Sequence, residues 1–246
     1  MKNHYFGDRR DLFKYDLLID LAGCLPDSRL VFIPMLTPND GTGEGSFTIY
    51  DCGTRRRLVY DFLRNAVASG KRNIQLLRDM MPTCGVQFMP YRDADHFQDA
   101  GRAEYFAAVP IQWLTGSVVF FDPDIGLQTG TDAYMRRSGA EKDLLYADLG
   151  AVWASAPGGS VFVVYQHLQN DATKRAADVE RRLHDVAAHL VVESAWAVQW
   201  GDVAFLVAVR DGSVVEQVRL TTERTCPAAR GYAVPRSATT RQSHYG

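Results

Sequence analysis

Val118-Val119-Phe120-Phe121-Asp122-Pro123-Asp124-Ile125-Gly126-Leu127 is the stretch on which the fold turns. Four consecutive apolar residues, two of them β-branched, read as a strand buried on both faces. The strand runs straight into two carboxylates around a proline. Pro123 has no amide donor and a fixed φ, so it ends the ladder and turns the chain outward. Asp122 and Asp124 are therefore expected at the carboxyl end of a buried strand, the edge where open α/β sheets bind ligands. Asp-Pro-Asp is also ordinary turn chemistry. What makes it a candidate site is the contrast between a dry strand and two acids at its tip.

Downstream, the sequence predicts a helix over Glu141–Ala156, with Leu144, Leu145, Leu149, Val152 and Trp153 inside. Ser160–Tyr165 is a second continuous apolar strand, and it too runs into polar groups: Tyr165, Gln166 and His167. Thr173–Leu190 reads as a charged helix with a Val179, Leu183, Val186, Leu190 stripe. Val191–Trp200 and Asp202–Val209 read as an antiparallel pair about Gly201-Asp202. From about Thr222 apolar periodicity is lost, and 222–246 reads as a loose tail to a single domain spanning 1–221.

Upstream, an N-terminal helical extension (about 4–23) holds a helix from about Asp8 to Ala22, its apolar stripe made of Phe13, Leu17, Leu18 and Leu21. Asp8, Asp11 and Tyr15 share one face of it, with Lys14 at the edge. Arg29–Leu36 is the first core strand, and Pro34 suits its end. Gly41, Gly43 and Gly45 alternate in the loop that follows Asn39 and Asp40, so the backbone can approach a ligand there. Thr54–Ser69 is a helix with Leu58 and Phe62 inward and Val59 and Ala66 as further candidates. Asn73–Leu77 and Val86–Pro90 read as short strands, and His96–Leu114 as helix broken at Pro110.

Strands alternating with helices predict a three-layer α/β/α domain with a mostly parallel sheet and a terminal antiparallel pair. Right-handed crossovers would bring the glycine loop, Asp122, Asp124 and His167 to one edge. Composition sets bounds. A net charge of −2 gives no global basic field, so nucleic acid would have to meet a local patch. Arg9-Arg10 and Arg55-Arg56-Arg57 are the candidates for phosphate contacts at that edge. Four widely spaced cysteines fit neither a zinc pattern nor a disulfide framework, and a cytoplasmic location with reduced thiols is expected. No apolar run approaches the ~20 residues of a membrane span.

The segments Gly7-Asp8-x-x-Asp11-x-x-Lys14-Tyr15, Leu36-Thr37-Pro38-Asn39-Asp40-Gly41, Phe121-Asp122-Pro123-Asp124-x-Gly126 and Tyr165-Gln166-His167 resemble a group of uncharacterised bacterial proteins. More distantly, the layout resembles Rossmann-like S-adenosylmethionine-dependent methyltransferases. Among these are the ribosomal-RNA adenine methyltransferases, with their N-terminal Asp-x-x-Lys-His helix, and the three-Cys-motif partner proteins. That resemblance implies a methyltransferase-like fold. It sets Lys14-Tyr15 against the Lys-His pair, and Asp122-Pro123 against the first half of an Asp-Pro-Pro-Tyr that binds the target amino group. Asp124-Ile125 stands where the Pro-Tyr would be, so the aromatic that stacks on a flipped base is absent at that position.

Three functions are open at this point. One is methyl transfer from S-adenosylmethionine to a nucleobase or related amine. In it Asp122 accepts from the target nitrogen, and Lys14 and Tyr15 close the site. Asn39, Asp40, Gly41, Gly43 and Gly45 hold the cofactor, while Asp8, Arg9, Tyr165 and Gln166 hold substrate. The second is a phosphodiester hydrolase in which Asp122 and Asp124 bind Mg²⁺ or Mn²⁺ and His167 is the general base. The third is a non-catalytic nucleotide- or partner-binding protein.

Overall fold

The computed structural model of the protein describes residues 1–39, 41, 45–130, 140–226 and 230–234, that last segment by its backbone alone. Its centre is a seven-stranded sheet in the order β2 (Gln87–Pro90), β1 (Arg29–Pro34), β3 (Val118–Asp122), β6 (Val161–His167), β8 (Val203–Val209), β7 (Ser194–Trp200), β9 (Arg230–Val234). Strands β2, β1, β3 and β6 are parallel neighbours, whereas β8 is antiparallel to both β6 and β7. The sheet is thus mostly parallel, with the predicted hairpin folded into its far side. A separate two-stranded pair joins β4 (Gly126–Leu127) to β5 (Asp143–Leu144).

Strand alternation sorts the core into two layers. Phe32, Phe120 and Phe205 face one way, packed with Phe13, Leu17 and Leu21 of α1 (Arg9–Cys24) and with Val59 and Leu63 of α2 (Arg57–Ala68). Val31, Ile33, Val119, Phe121 and Phe162 face the other way. They meet Phe106 of α4 (Arg102–Ala107), Leu114 of α5 (Ile111–Leu114), Leu149 and Val152 of α6 (Tyr146–Ser155), and Val179 and Leu183 of α7 (Arg175–His189). All five residues of β3 are buried, as a strand covered on both faces requires. No described helix is long and apolar enough to cross a membrane.

Several predicted elements change. Asn73–Leu77 is not a strand. The Asn73 side chain accepts from the Gln75 amide (2.9 Å) and caps a 3₁₀ turn, Ile74–Leu76, that leads into α3 (Leu77–Thr83). A local cap prevails there over a short apolar run. The predicted helix Glu141–Ala156 begins only at Tyr146. Asp143 and Leu144 pair with β4, and Asp148 turns back to accept from the Leu145 amide at 3.0 Å. In α2 the inward residues are Val59, Leu63 and Ala66, while Leu58 is exposed. The expected tail from 222 contains the end of a helix that the apolar pattern did not reveal, α8 (Gly212–Thr225), started by the Asp211 side chain on the Ser213 amide. Residues 230–234 then cover the outer edge of β7.

Candidate functional site

Period-two alternation along β3 puts Asp122 on the same face as Val118 and Phe120, the face covered by α1. Three carboxylates and one ammonium meet there. The Lys14 ammonium lies 2.7 Å from Asp11 Oδ1 and donates to Asp122 Oδ2 at 3.0 Å, a link between residues 108 apart in sequence. Asp8 starts α1 by accepting from the amides of Arg10 (2.8 Å) and Asp11 (3.1 Å), and Asp11 accepts from the Gly7 amide at 2.9 Å. The helix start therefore fixes both carboxylates before any ligand arrives. Arg10 reaches across in bidentate contact with Asp202, at the tip of the β7–β8 hairpin.

Asp8, Asp11, Lys14 and Asp122 are all nearly inaccessible to solvent. Burial raises the pKa of Asp122 and of Asp11, against the pull of Lys14; it raises Asp8 against Arg10 and Lys14. Burial would lower Lys14, but Asp11 and Asp122 outweigh it and hold the ammonium charged. Asp124 goes the other way. Burial pushes it up, and the Met1 α-ammonium, Lys2 and Lys142 outweigh that and keep it below the usual carboxylate range. Its Oδ2 sits 2.9 Å from the Lys2 ammonium. Its Oδ1, buried, has no hydrogen-bond partner and lies 3.6 Å from the Met1 α-ammonium, which donates to the Met35 carbonyl at 2.9 Å.

These groups line a cavity of about 140 Å³ at the carboxyl edge of the sheet. Gly45, Asp122, Asp124 and His167 are in its walls, the groups that right-handed crossovers were expected to bring to one edge, together with Asp8, Lys14 and Tyr165. A larger cavity of about 590 Å³ lies between the end of α1 and the start of α2, around Arg56, Arg57 and Arg224. The convergence of buried charge marks the smaller one as the candidate site.

The strand period also divides Tyr165-Gln166-His167. Tyr165 packs in the α1 layer, and its hydroxyl is 3.3 Å from His167 Nε2. Gln166, expected to hold substrate, turns to the opposite face, where its Oε1 accepts from the Leu127 amide at 2.8 Å. A Cβ on Gly126 (φ +142) would come within 2.3 Å of that amide group. Gln166 is thus a brace that fixes the segment after Asp124, and its glycine makes room for it.

Other expected residues fall differently. Tyr15 is buried beside the cluster, its hydroxyl without a partner, and is not in the cavity wall. Asn39 bonds His4 Nδ1 at 2.8 Å, and Gly41 has open space around it. Asp40 and Gly43 lie outside the described residues. Arg9 borders a neighbouring cleft. Of Arg55–Arg57, Arg55 donates to the Thr225 carbonyl and borders the same neighbouring cleft as Arg9, whereas Arg56 pairs with Asp16 and Asp20 near the other end of α1 and Arg57 lines the cavity there. Asp122 and Asp124 turn to separate ammonium groups, and among the described residues no three His, Cys, Asp or Glu side chains are grouped to hold a metal.

Sequence reasoning did not reach Arg10's partner Asp202, or Phe47. Asp202 had a signal: β7 runs parallel to β6, so a turn after it must lie on the carboxyl edge. Phe47 had none, because it sits in a loop without periodicity. No family model matches the chain, and neither a curated protein nor a solved structure matches it.

Proposed function

We propose that this is a nucleic-acid-modifying enzyme of methyltransferase-like fold, transferring a methyl group from S-adenosylmethionine to a nucleobase or related amine. The observation that carries the reading is the Lys14–Asp122 contact beside the cavity. It joins the helix motif and the strand-tip motif that the resemblance pairs, at the edge where such a sheet binds ligands. The parallel block of strands followed by an antiparallel hairpin also supports it.

The residues present fit the amino-acid end of the cofactor. Asp124 Oδ1, buried in the cavity wall, still lacks a hydrogen-bond donor, which the cofactor's ammonium would supply. The cavity is smaller than the ~300–1,000 Å³ of a complete small-molecule site, so it takes one end of such a ligand. S-adenosylmethionine, when bound, supplies an electrophilic methyl group. Asp122 accepts a hydrogen bond from the N–H of the target and orients its lone pair. Lys14 opposes the rise that burial imposes on the Asp122 pKa and fixes the carboxylate by its hydrogen bond. His167, half-buried in the cavity wall, receives the proton that the nitrogen sheds on methylation. Tyr165 steers that imidazole.

Thermal unfolding with S-adenosylhomocysteine tests the reading. At 100 times its dissociation constant a ligand should stabilise the fold by about 2.7 kcal/mol. Asp124→Asn should shrink the shift by weakening the ammonium contact. No shift at millimolar ligand would remove the reading. A shift with Mn²⁺ alone, lost in Asp122→Asn, would put metal-dependent hydrolysis in its place.

A further inference from the structure

The loop from Gly45 to α2 has no regular secondary structure, yet it is tied down along its length. Arg72 donates to the Gly45 carbonyl (2.7 Å), the Arg9 amide to Phe47 (3.0 Å), Arg64 to Thr48 (2.6 Å), and the Tyr50 hydroxyl to Gly7 (3.1 Å). Gly45 itself is seated so closely on Tyr5 that a Cβ would lie 2.6 Å from its ring. This anchored loop holds two large apolar side chains in water: Phe47 is 53% exposed and Ile49 92%. Exposed apolar groups held by a pinned backbone mark a contact surface.

The surroundings state the chemistry of the contact. Phe47 is part of the cavity wall that also contains Asp122. The Arg9 guanidinium lies 5.0 Å from the Phe47 ring and 5.8 Å from the Trp200 ring, and Arg10 lies 6.0 Å from Phe47. Arg9 is exposed and makes no ion pair among the described residues. Beyond it a cleft of about 250 Å³ is bordered by Trp200, Tyr50 and Arg55, with Asp51 the one carboxylate in its walls. Aromatic faces interleaved with guanidinium groups are what a single strand requires: rings stack on bases and cations meet the backbone phosphates. A folded acidic partner would find the charges but would have no use for an upright ring at the mouth of a buried cavity.

We propose that the Phe47 loop and the adjoining Arg9–Trp200 cleft bind a single nucleic-acid strand, with Phe47 the platform on which the base presented to the cavity stacks. The proposal rests on the nucleobase-modifying reading, and it supplies from another loop the aromatic that Ile125 does not provide after Asp122-Pro123-Asp124. Phe47 is a binding residue here, and Arg9 and Trp200 position the strand leading to it.

Fluorescence anisotropy of the full chain with labelled oligomers of about a dozen nucleotides tests this, since such lengths span a typical single-strand site. Oligo-rU, oligo-dT and a duplex of equal length serve as probes, and the two single strands separate RNA from DNA. Single strands should bind more tightly than duplex. Phe47→Ala should weaken binding by roughly tenfold while Phe47→Trp restores it, as stacking requires. Arg9→Ala should weaken binding on every sequence and lower the salt slope by about 0.7. Arg181→Ala, on α7 at the opposite face of the sheet, should change nothing, and circular dichroism would confirm that each variant is folded. Equal binding of duplex and single strand, or single-strand binding that ignores Phe47, would overturn the proposal. S-adenosylhomocysteine binding without any oligomer binding would overturn it while the methyl-transfer reading stood. Phe47-dependent oligomer binding without S-adenosylhomocysteine binding would uphold the strand surface and remove methyl transfer.

Discussion

Two buried ionic clusters sit on opposite faces of the sheet. On one, Lys14 lies among Asp8, Asp11 and Asp122. On the other, Arg102 of α4 donates to Asp99, Asp148 and the carbonyls of Ala140 and Asp143. The second borders the larger cavity, about 400 Å³ against about 140 Å³. Yet each nitrogen of the Arg102 guanidinium has an acceptor, and Asp148 also holds the start of α6. The Lys14 cluster leaves Asp11 and Asp122 sharing one ammonium, with Asp8 turned to Arg10, and an unpartnered Asp124 oxygen and Tyr15 hydroxyl lie close by. Neither burial nor cavity size separates a site from a brace. The separation comes from polar capacity that the fold itself leaves unsatisfied.

The largest effect should come from removing the shared cation. Lys14→Met keeps the side-chain volume but leaves Asp11 and Asp122 without their partner. Breaking a buried pair in this way costs about 3–5 kcal/mol. Urea unfolding at pH 7 would measure it, and the loss should shrink at lower pH as the two carboxylates protonate. A neutral result would mean that water already screens the cluster, and the contrast between the two faces would fall.

Arg102→Met should also destabilise by several kcal/mol, since it strands Asp148 in the interior. The two variants are expected to part in binding. Folded Arg102→Met protein should hold S-adenosylhomocysteine and single strands as the parent does. If calorimetry instead showed either ligand lost, the Arg102 cluster would be functional and the distinction drawn above would be wrong.

How much of this was legible follows from where each signal lives. The dry strand of residues 118–121, the acids at its tip and the Asp8-x-x-Asp11-x-x-Lys14 face are local patterns, and topology rules carried them to one edge. Gln166 was misplaced because a tripeptide at a strand end reads as one cluster until the register assigns alternate residues to opposite faces. Arg56 and Arg57 were misplaced because a charge run carries no information on which end of a neighbouring helix it will meet. The start of α6 was hidden because Asp143-Leu144 fits a helical stripe as well as it fits a strand. Phe47 depends wholly on tertiary anchors to Arg9, Arg64 and Arg72, none of which leaves a periodic trace.

A smaller effect tests the braced side by pH. Burial raises Asp143 to about 6, with Arg182 and Arg102 opposing. A carboxyl raised in the folded state binds more protons there than in the unfolded chain. Its ionisation therefore subtracts stability as pH rises from about 4 to about 6, and the penalty is full above that. Asp143→Asn removes the penalty. It should stabilise by about 1 kcal/mol at pH 7.5, after allowance for solvent screening, and by nothing measurable below pH 4. An equal gain at both pH values would mean that packing, not charge, is responsible.

The smallest expected change in stability is at Tyr15. Its ring is fully buried, its hydroxyl has no partner, and burial with the charges of Asp11 and Asp122 holds the phenol well above its ordinary pKa. Such a hydroxyl contributes no hydrogen bond to the fold as it stands, and a phenylalanine would relieve its desolvation. Tyr15→Phe should therefore unfold at the same urea concentration as the parent or slightly higher, a gain between zero and about 1 kcal/mol. S-adenosylhomocysteine affinity should fall in the same protein if the hydroxyl is kept for a ligand, the pattern of a site that gives up stability for function. Clear destabilisation would instead show that the hydroxyl already bonds within the folded chain. The Lys14 cluster would then be as fully satisfied at Tyr15 as the Arg102 guanidinium is at its three nitrogens, and the contrast would rest on Asp124 alone.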